Sequence, residues 1–150
     1  MELDDTDRRL IRALMEDGRA SMRQLAASVG VALGTIANRM KRLEEVGVIR
    51  GYKVDIDPAK IGWEMTVIVG LRISKGRMMD VQRRIARDER VYAIYDVTGD
   101  FDSIVMARVR GTEDLNDLSK GVLTSEGIQR SLTHVVLNTV KEDMSAIPPT

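Results

Sequence analysis

The chain has 150 residues, 43% of them hydrophobic and 31% charged, a balance that belongs to folded globular proteins and excludes a disordered one. Its 23 basic and 23 acidic residues cancel, and it has no cysteine. Nucleic-acid binding by bulk charge is therefore excluded, as are disulfides, thiolate metal sites and a cysteine nucleophile, and any contact with nucleic acid needs a local basic surface.

The first residues, Met1-Glu2-Leu3-Asp4-Asp5, carry neither the basic nor the apolar region of a signal peptide. The longest apolar stretch, Met65 to Leu71, is interrupted by Thr66 and Gly70 and is far short of the roughly 20 residues of a membrane span. A soluble, cytoplasmic protein without membrane contact is expected.

Leu3, Leu10, Ile11, Leu14 and Met15 recur at helical spacing, with Asp4 and Thr6 available as caps and acids at 4, 5 and 7 suited to the positive end of the helix dipole. The pattern stops at Asp17-Gly18. Ser21-Met22-Arg23-Gln24 has the capping-box spacing, opening a second helix with Leu25, Ala26 and Val29 on one face and Gly30 at its end. Ile36, Met40 and Leu43 then predict a third helix from about Leu33 to Val46, ending at Gly47.

A tight glycine-containing turn between the second and third helices is the spacing of a helix-turn-helix. The apolar stripe of the third helix leaves Thr35, Asn38, Arg39, Lys41 and Arg42 on other faces, and these residue types contact phosphates and base edges. The alternation in Val48-Ile49-Arg50-Gly51-Tyr52-Lys53-Val54 predicts a strand bearing Arg50 and Lys53. From Arg39 to Lys53 five cations face only Glu44 and Glu45, a modest electrostatic footprint. The plain alternative is a three-helix bundle with a solvated basic face.

Asp55-Ile56-Asp57-Pro58 reads as a connector. Trp63 to Ile73 predicts a long strand, and Met78, Val81, Ile85 and Met79 a helix. Val91–Val97 and Ser103–Val109 predict two strands joined by the turn Thr98-Gly99-Asp100-Phe101-Asp102. Thr112 is available to cap a helix with the stripe Leu115, Leu118 and Val122, and Ile128 to Val140 predicts a last strand. The order β-α-β-β-α-β is the ferredoxin-like arrangement. Helices then cover one face of an antiparallel sheet, and an apolar opposite face calls for a dimer. The fold class is α+β, with a DNA-binding domain at 1–54, a linker at 55–62 and a second domain at 63–150.

Taken in order, several short motifs resemble the leucine-responsive regulatory protein family (Lrp/AsnC, the feast/famine regulators). They are Leu3-Asp4-Asp5-Thr6-Asp7, Leu25-Ala26, the run from Lys41-Arg42-Leu43-Glu44-Glu45 to Gly51-Tyr52, Gly99-Asp100-Phe101-Asp102, and Thr133-His134-Val135-Val136-Leu137-Asn138-Thr139-Val140-Lys141. The resemblance spans nearly the whole chain. It implies a winged helix-turn-helix and a ferredoxin-like (RAM-type) effector domain. It also implies a homodimer assembling to a higher oligomer, commonly an octamer, and an amino-acid effector bound where dimers meet, near the Gly-Asp-Phe-Asp turn. The expected partners are double-stranded promoter DNA and an amino acid or related small molecule.

Two positions depart from the family pattern. Val31-Ala32-Leu33-Gly34 replaces a serine-containing turn, leaving the third helix without a side-chain cap, a loss of about 1 kcal/mol, unless Thr35 or a DNA phosphate takes those donors. Ser131 stands where threonine is common and keeps the hydroxyl.

For the effector, Gly99 allows backbone N–H groups to approach a carboxylate. Asp100 or Asp102 suits an α-ammonium, and Ser131 or Thr133 adds a hydroxyl; the alternative is a glycine that serves only the turn. Asp96, Asp100 and Asp102 as a metal site are weighed against ordinary turn chemistry, which is favoured. His134 reads as structural and the nine methionines as core filler. No metal, cofactor or catalytic residue is expected. A stand-alone amino-acid-binding or metabolic module, using the helices for assembly, is the competing reading. An enzyme comes third.

Overall fold

Asp4 starts the first helix of the computed structural model, which describes residues 2–149. Its carboxylate accepts the Asp7 N–H at 2.9 Å, and the Asp7 carboxylate accepts the Asp4 N–H at 3.2 Å, satisfying two donors that a helix leaves orphaned. The result is α1, Asp5–Glu16. Ser21 and Gln24 make the expected reciprocal bonds at 3.1 and 2.8 Å and open α2, Met22–Val29. Gly30 ends α2 in the left-handed conformation at φ 80°, where a β-carbon would be strained. After a short turn α3 runs over Leu33–Glu45 from Ala32, which makes no side-chain capping bond; Thr35 does not take over that role.

The chain divides into two units. The first comprises residues 2–55 with 141–149, so the C-terminal segment groups with the helices and not, as expected, with the sheet. Arg8 Nη1 donates to the Pro149 carbonyl at 2.5 Å and Arg12 Nη2 to that of Pro148 at 3.2 Å. The core of this unit is Leu10, Leu25, Ala26, Val29, Ile36, Met40 and Leu43. The strand expected at 48–54 does not form: the segment is irregular, bent at Val48 and Ile49, with Val54 81% exposed. Alternation only marks which side chains could be buried. A strand also needs a neighbouring backbone to pair with, and among the described residues none pairs here.

The second unit is 56–140. Asp57 and Pro58 start a short 3-10 turn, Pro58–Ile61, inside the expected connector. There follow β1 Met65–Ile73, α4 Met78–Ala86, β2 Val91–Asp96, β3 Ser103–Val109, α5 Thr112–Lys120 and β4 Ile128–Val135. The sheet is antiparallel in the order β2-β3-β1-β4. Alternate residues Val67, Val69, Leu71 and Ile73 of β1 and Val105, Ala107 and Val109 of β3 are buried with Val81, Ile85, Leu118 and Leu123. Their neighbours in sequence, including Ile68, Ile104 and Met106, form the face without helices.

Three details correct the sequence reading. Met79 is 62% exposed and outside the core, because Val81 and Ile85, four apart, fix the buried face of α4. Gly111, not Thr112, occupies the N-cap of α5. The last strand stops at Val135; the Val136 N–H still donates to Thr66 O at 2.9 Å, one residue from the start of β1, and Leu137 is 96% exposed.

One ion network staples this unit. Arg90 reaches Asp88 at 2.7 Å, Asp114 at 2.9 Å and Asp117 at 2.8 Å, tying the entry of β2 to α5. Burial opposes the charge on Asp114, but the Arg110 N–H and the guanidinium groups of Arg110 and Arg90 outweigh it and hold the carboxyl at about 2.

Candidate nucleic-acid interface and effector turn

The apolar stripe Ile36, Met40 and Leu43 anchors α3 in the core of the helical unit, so the opposite side carries Gly34, Asn38, Lys41 and Glu45. Asn38, Lys41 and Arg42 are exposed, Thr35 is half-buried, and Arg50 and Lys53 lie exposed on the irregular segment that follows. Lys41 pairs loosely with Glu45 at 3.8 Å.

Arg39 and Arg42 are placed differently from their neighbours. Both converge on Asp7, whose carboxylate is completely buried: Arg39 Nη1 lies 3.2 Å away and Arg42 Nη2 2.5 Å. Arg39 also bonds Asp4. That guanidinium, helped by the Asp7 N–H, holds the Asp4 carboxyl below the usual carboxylate range, and the two acids raise the pKa of Arg39. The two side chains remain 27% and 44% exposed, so they present positive charge while fastening α3 to α1.

In the sequence Asp7 reads as a dipole-favouring acid and as the end of the Leu3-Asp4-Asp5-Thr6-Asp7 motif. Its spacing with Leu3, Leu10 and Leu14 puts it on the apolar stripe, the one sign that it is buried and needs cationic partners.

In the second unit the β2–β3 turn holds four of the expected effector residues. Gly99 has φ 104°, a conformation side chains resist, and it stands exposed beside the exposed Asp100. The Phe101 ring lies against Gly70 of β1, where an added β-carbon would sit 2.7 Å from the ring. Asp102 fixes the turn to β1: its N–H donates to Leu71 O at 2.9 Å, and its Oδ2 accepts the Ile73 N–H at 2.9 Å. One oxygen of Asp102 is thus already engaged, whereas Asp100 is open to solvent. Asp96 accepts a bond from Gln82.

Ser131 and Thr133 pair across from Leu71 and Val69. Residues directly opposite on antiparallel strands share a face, so both hydroxyl residues lie on the helix side of edge strand β4. Phe101 and Gly70 lie on the other face. Within one chain the six expected effector residues therefore form two groups.

The chain matches the winged helix-turn-helix DNA-binding family over residues 3–50 and the Lrp/AsnC ligand binding domain family over residues 66–146. An uncharacterized HTH-type transcriptional regulator of Pyrococcus furiosus is 45% identical over 148 residues, spanning 99% of this chain and 100% of that protein. The HTH-type transcriptional regulator LrpA of Mycobacterium tuberculosis is 32% identical, covering 97% of each. A solved feast or famine regulatory protein from M. tuberculosis, complexed with L-methionine, superposes with a TM-score of 0.88 at 32% identity over 98% of this chain and 100% of that one. AsnC of Escherichia coli shares the fold, with a TM-score of 0.93 at 23% identity over 99% and 100%.

Proposed function

This chain belongs to the Lrp/AsnC family of HTH-type transcriptional regulators, and from that premise we propose that it binds promoter DNA through residues 1–54 under the control of an amino acid held by the domain from residue 63 onward. The observation that carries the first part is the polar outward side of α3, the second helix of the helix-turn-helix, which bears Lys41 and is flanked by the cations at 39, 42, 50 and 53. As a dimer, two such helices enter successive major grooves about one helical turn apart.

For the effector, the free backbone around Gly99 suits an α-carboxylate and the solvent-facing carboxylate of Asp100 suits the α-ammonium. Ser131 and Thr133 lie on the other face of the sheet, so they complete the site from a neighbouring copy. A ligand held between copies favours one assembly over another, because only differential affinity moves an equilibrium. Methionine is the first ligand to try, given the complex formed by the 32%-identical relative. No described helix is long and apolar enough to cross a membrane.

Calorimetry with the twenty amino acids tests this reading. The parent should bind at least one of them, and Asp100→Asn should weaken that binding by about ten- to a hundredfold, the worth of a charge-assisted bond. A parent that binds none of the twenty would contradict the effector assignment.

A further inference from the structure

α3 contains a glycine that nothing inside the chain requires. Gly34 sits in the first turn with ordinary helical backbone, and a β-carbon built there meets no atom within 4 Å. Glycine within a helix loses more backbone freedom on folding than alanine, so the bare position weakens α3 and returns nothing in packing. The missing side chain matters only to something approaching from outside.

One turn further along the same outward stripe is Asn38. It is exposed, and its carboxamide makes no hydrogen bond among the described residues. That group carries one acceptor and one donor side by side, the pattern that pairs with N6 and N7 of adenine in the major groove. Asparagine is short, so it reaches a base edge only when the helix backbone lies close to the groove floor. Bulk at position 34, on the same stripe and nearer the helix N-terminus, would hold the backbone away. Arg39, by contrast, is already bonded to Asp4 and Asp7 on the flank facing α1.

We propose that α3 reads an A·T base pair through Asn38 in the notch left by Gly34, and that Arg39 is a positioning residue, its bonds to Asp4 and Asp7 setting α3 against α1. This rests on the reading that the helical unit binds DNA.

The full-length protein is tested by selection from a randomised double-stranded DNA pool, followed by affinities for the selected duplex and its single-pair variants. The parent should prefer A·T at one position of each half-site. Asn38→Ala should lose about ten- to a hundredfold on the selected duplex, with the preference at that pair flattened and the salt slope unchanged. Gly34→Ala should raise the thermal midpoint yet weaken the selected duplex about tenfold. Arg39→Ala should lower the midpoint and blur the preference at the Asn38 pair, and Arg39→Lys, which keeps a charge for Asp7, should restore both.

A parent that selects sequences while Asn38→Ala keeps its full preference, or Gly34→Ala binds undiminished, overturns the proposal and leaves DNA binding intact. Loss of preference at a different base pair in Arg39→Ala would make Arg39 a reader and overturn its positioning role. A parent that binds no duplex overturns the DNA reading, and this proposal with it.

Discussion

Replacing Asp7 by alanine removes the only fully buried carboxylate among the described residues of the helical unit and, with it, the bonds from Arg39 at 3.2 Å, Arg42 at 2.5 Å and the Asp4 N–H at 3.2 Å. Breaking a wholly buried ion pair costs about 3–5 kcal/mol, because the surviving charge is left without a partner in a poor solvent. Here the survivors are two arginines that reach water, and Arg39 keeps Asp4, so the cost falls to about 1.5–3 kcal/mol, the range of hydrogen bonds to charged groups. At roughly 4–8 °C per kcal/mol for a unit of this size, the helical transition should move down by about 6–24 °C. The assay is circular dichroism at 222 nm on full-length protein at neutral pH. Adding Arg39→Met to Asp7→Ala should cost less than the sum of the two single changes, because the two groups interact directly. A midpoint within about 2 °C of the parent would refute the argument that Asp7 holds α1 and α3 together.

Two further outcomes follow from the sheet unit. Gly70→Ala places a β-carbon 2.7 Å from the Phe101 ring; the ring must swing away, at a cost of about 1–3 kcal/mol for overpacking, and amino-acid affinity measured by calorimetry should fall with it. Asp114 is held at about 2 against an ordinary 3.8, so its contribution to stability is complete above about pH 4 and is lost as pH falls from there toward 2. An acid titration followed by circular dichroism should show that loss in the parent and a shallower one in Arg90→Met.

Local signals were legible in the sequence and relational ones were not. Ser21 and Gln24 stand three apart and cap α2 with no help from the rest of the molecule, so α2 could be read directly. The same held for the stripe Ile36, Met40 and Leu43. Residues 48–54 alternate like a strand, yet pairing depends on a second backbone, and the alternation gave no information about one. Arg39 and Arg42 looked equivalent to Lys41 until the crossing of α1 and α3 brought Asp7 between them. Ser131, Thr133 and Phe101 could each be named, but their division between two faces depends on strand register. That register became fixed only when β4 paired with β1.

The central claim is sequence-specific DNA binding under amino-acid control, and fluorescence anisotropy tests it most directly. Full-length protein is titrated onto a labelled duplex from upstream of its own gene and onto a scrambled duplex, at several salt concentrations, with and without methionine. The account predicts binding of the upstream duplex about a thousandfold or more tighter than the scrambled one at physiological salt. It also predicts affinity that falls as salt rises, and a midpoint that moves when the amino acid is added. Equal affinity for the two duplexes, unmoved by the amino acid, would contradict it.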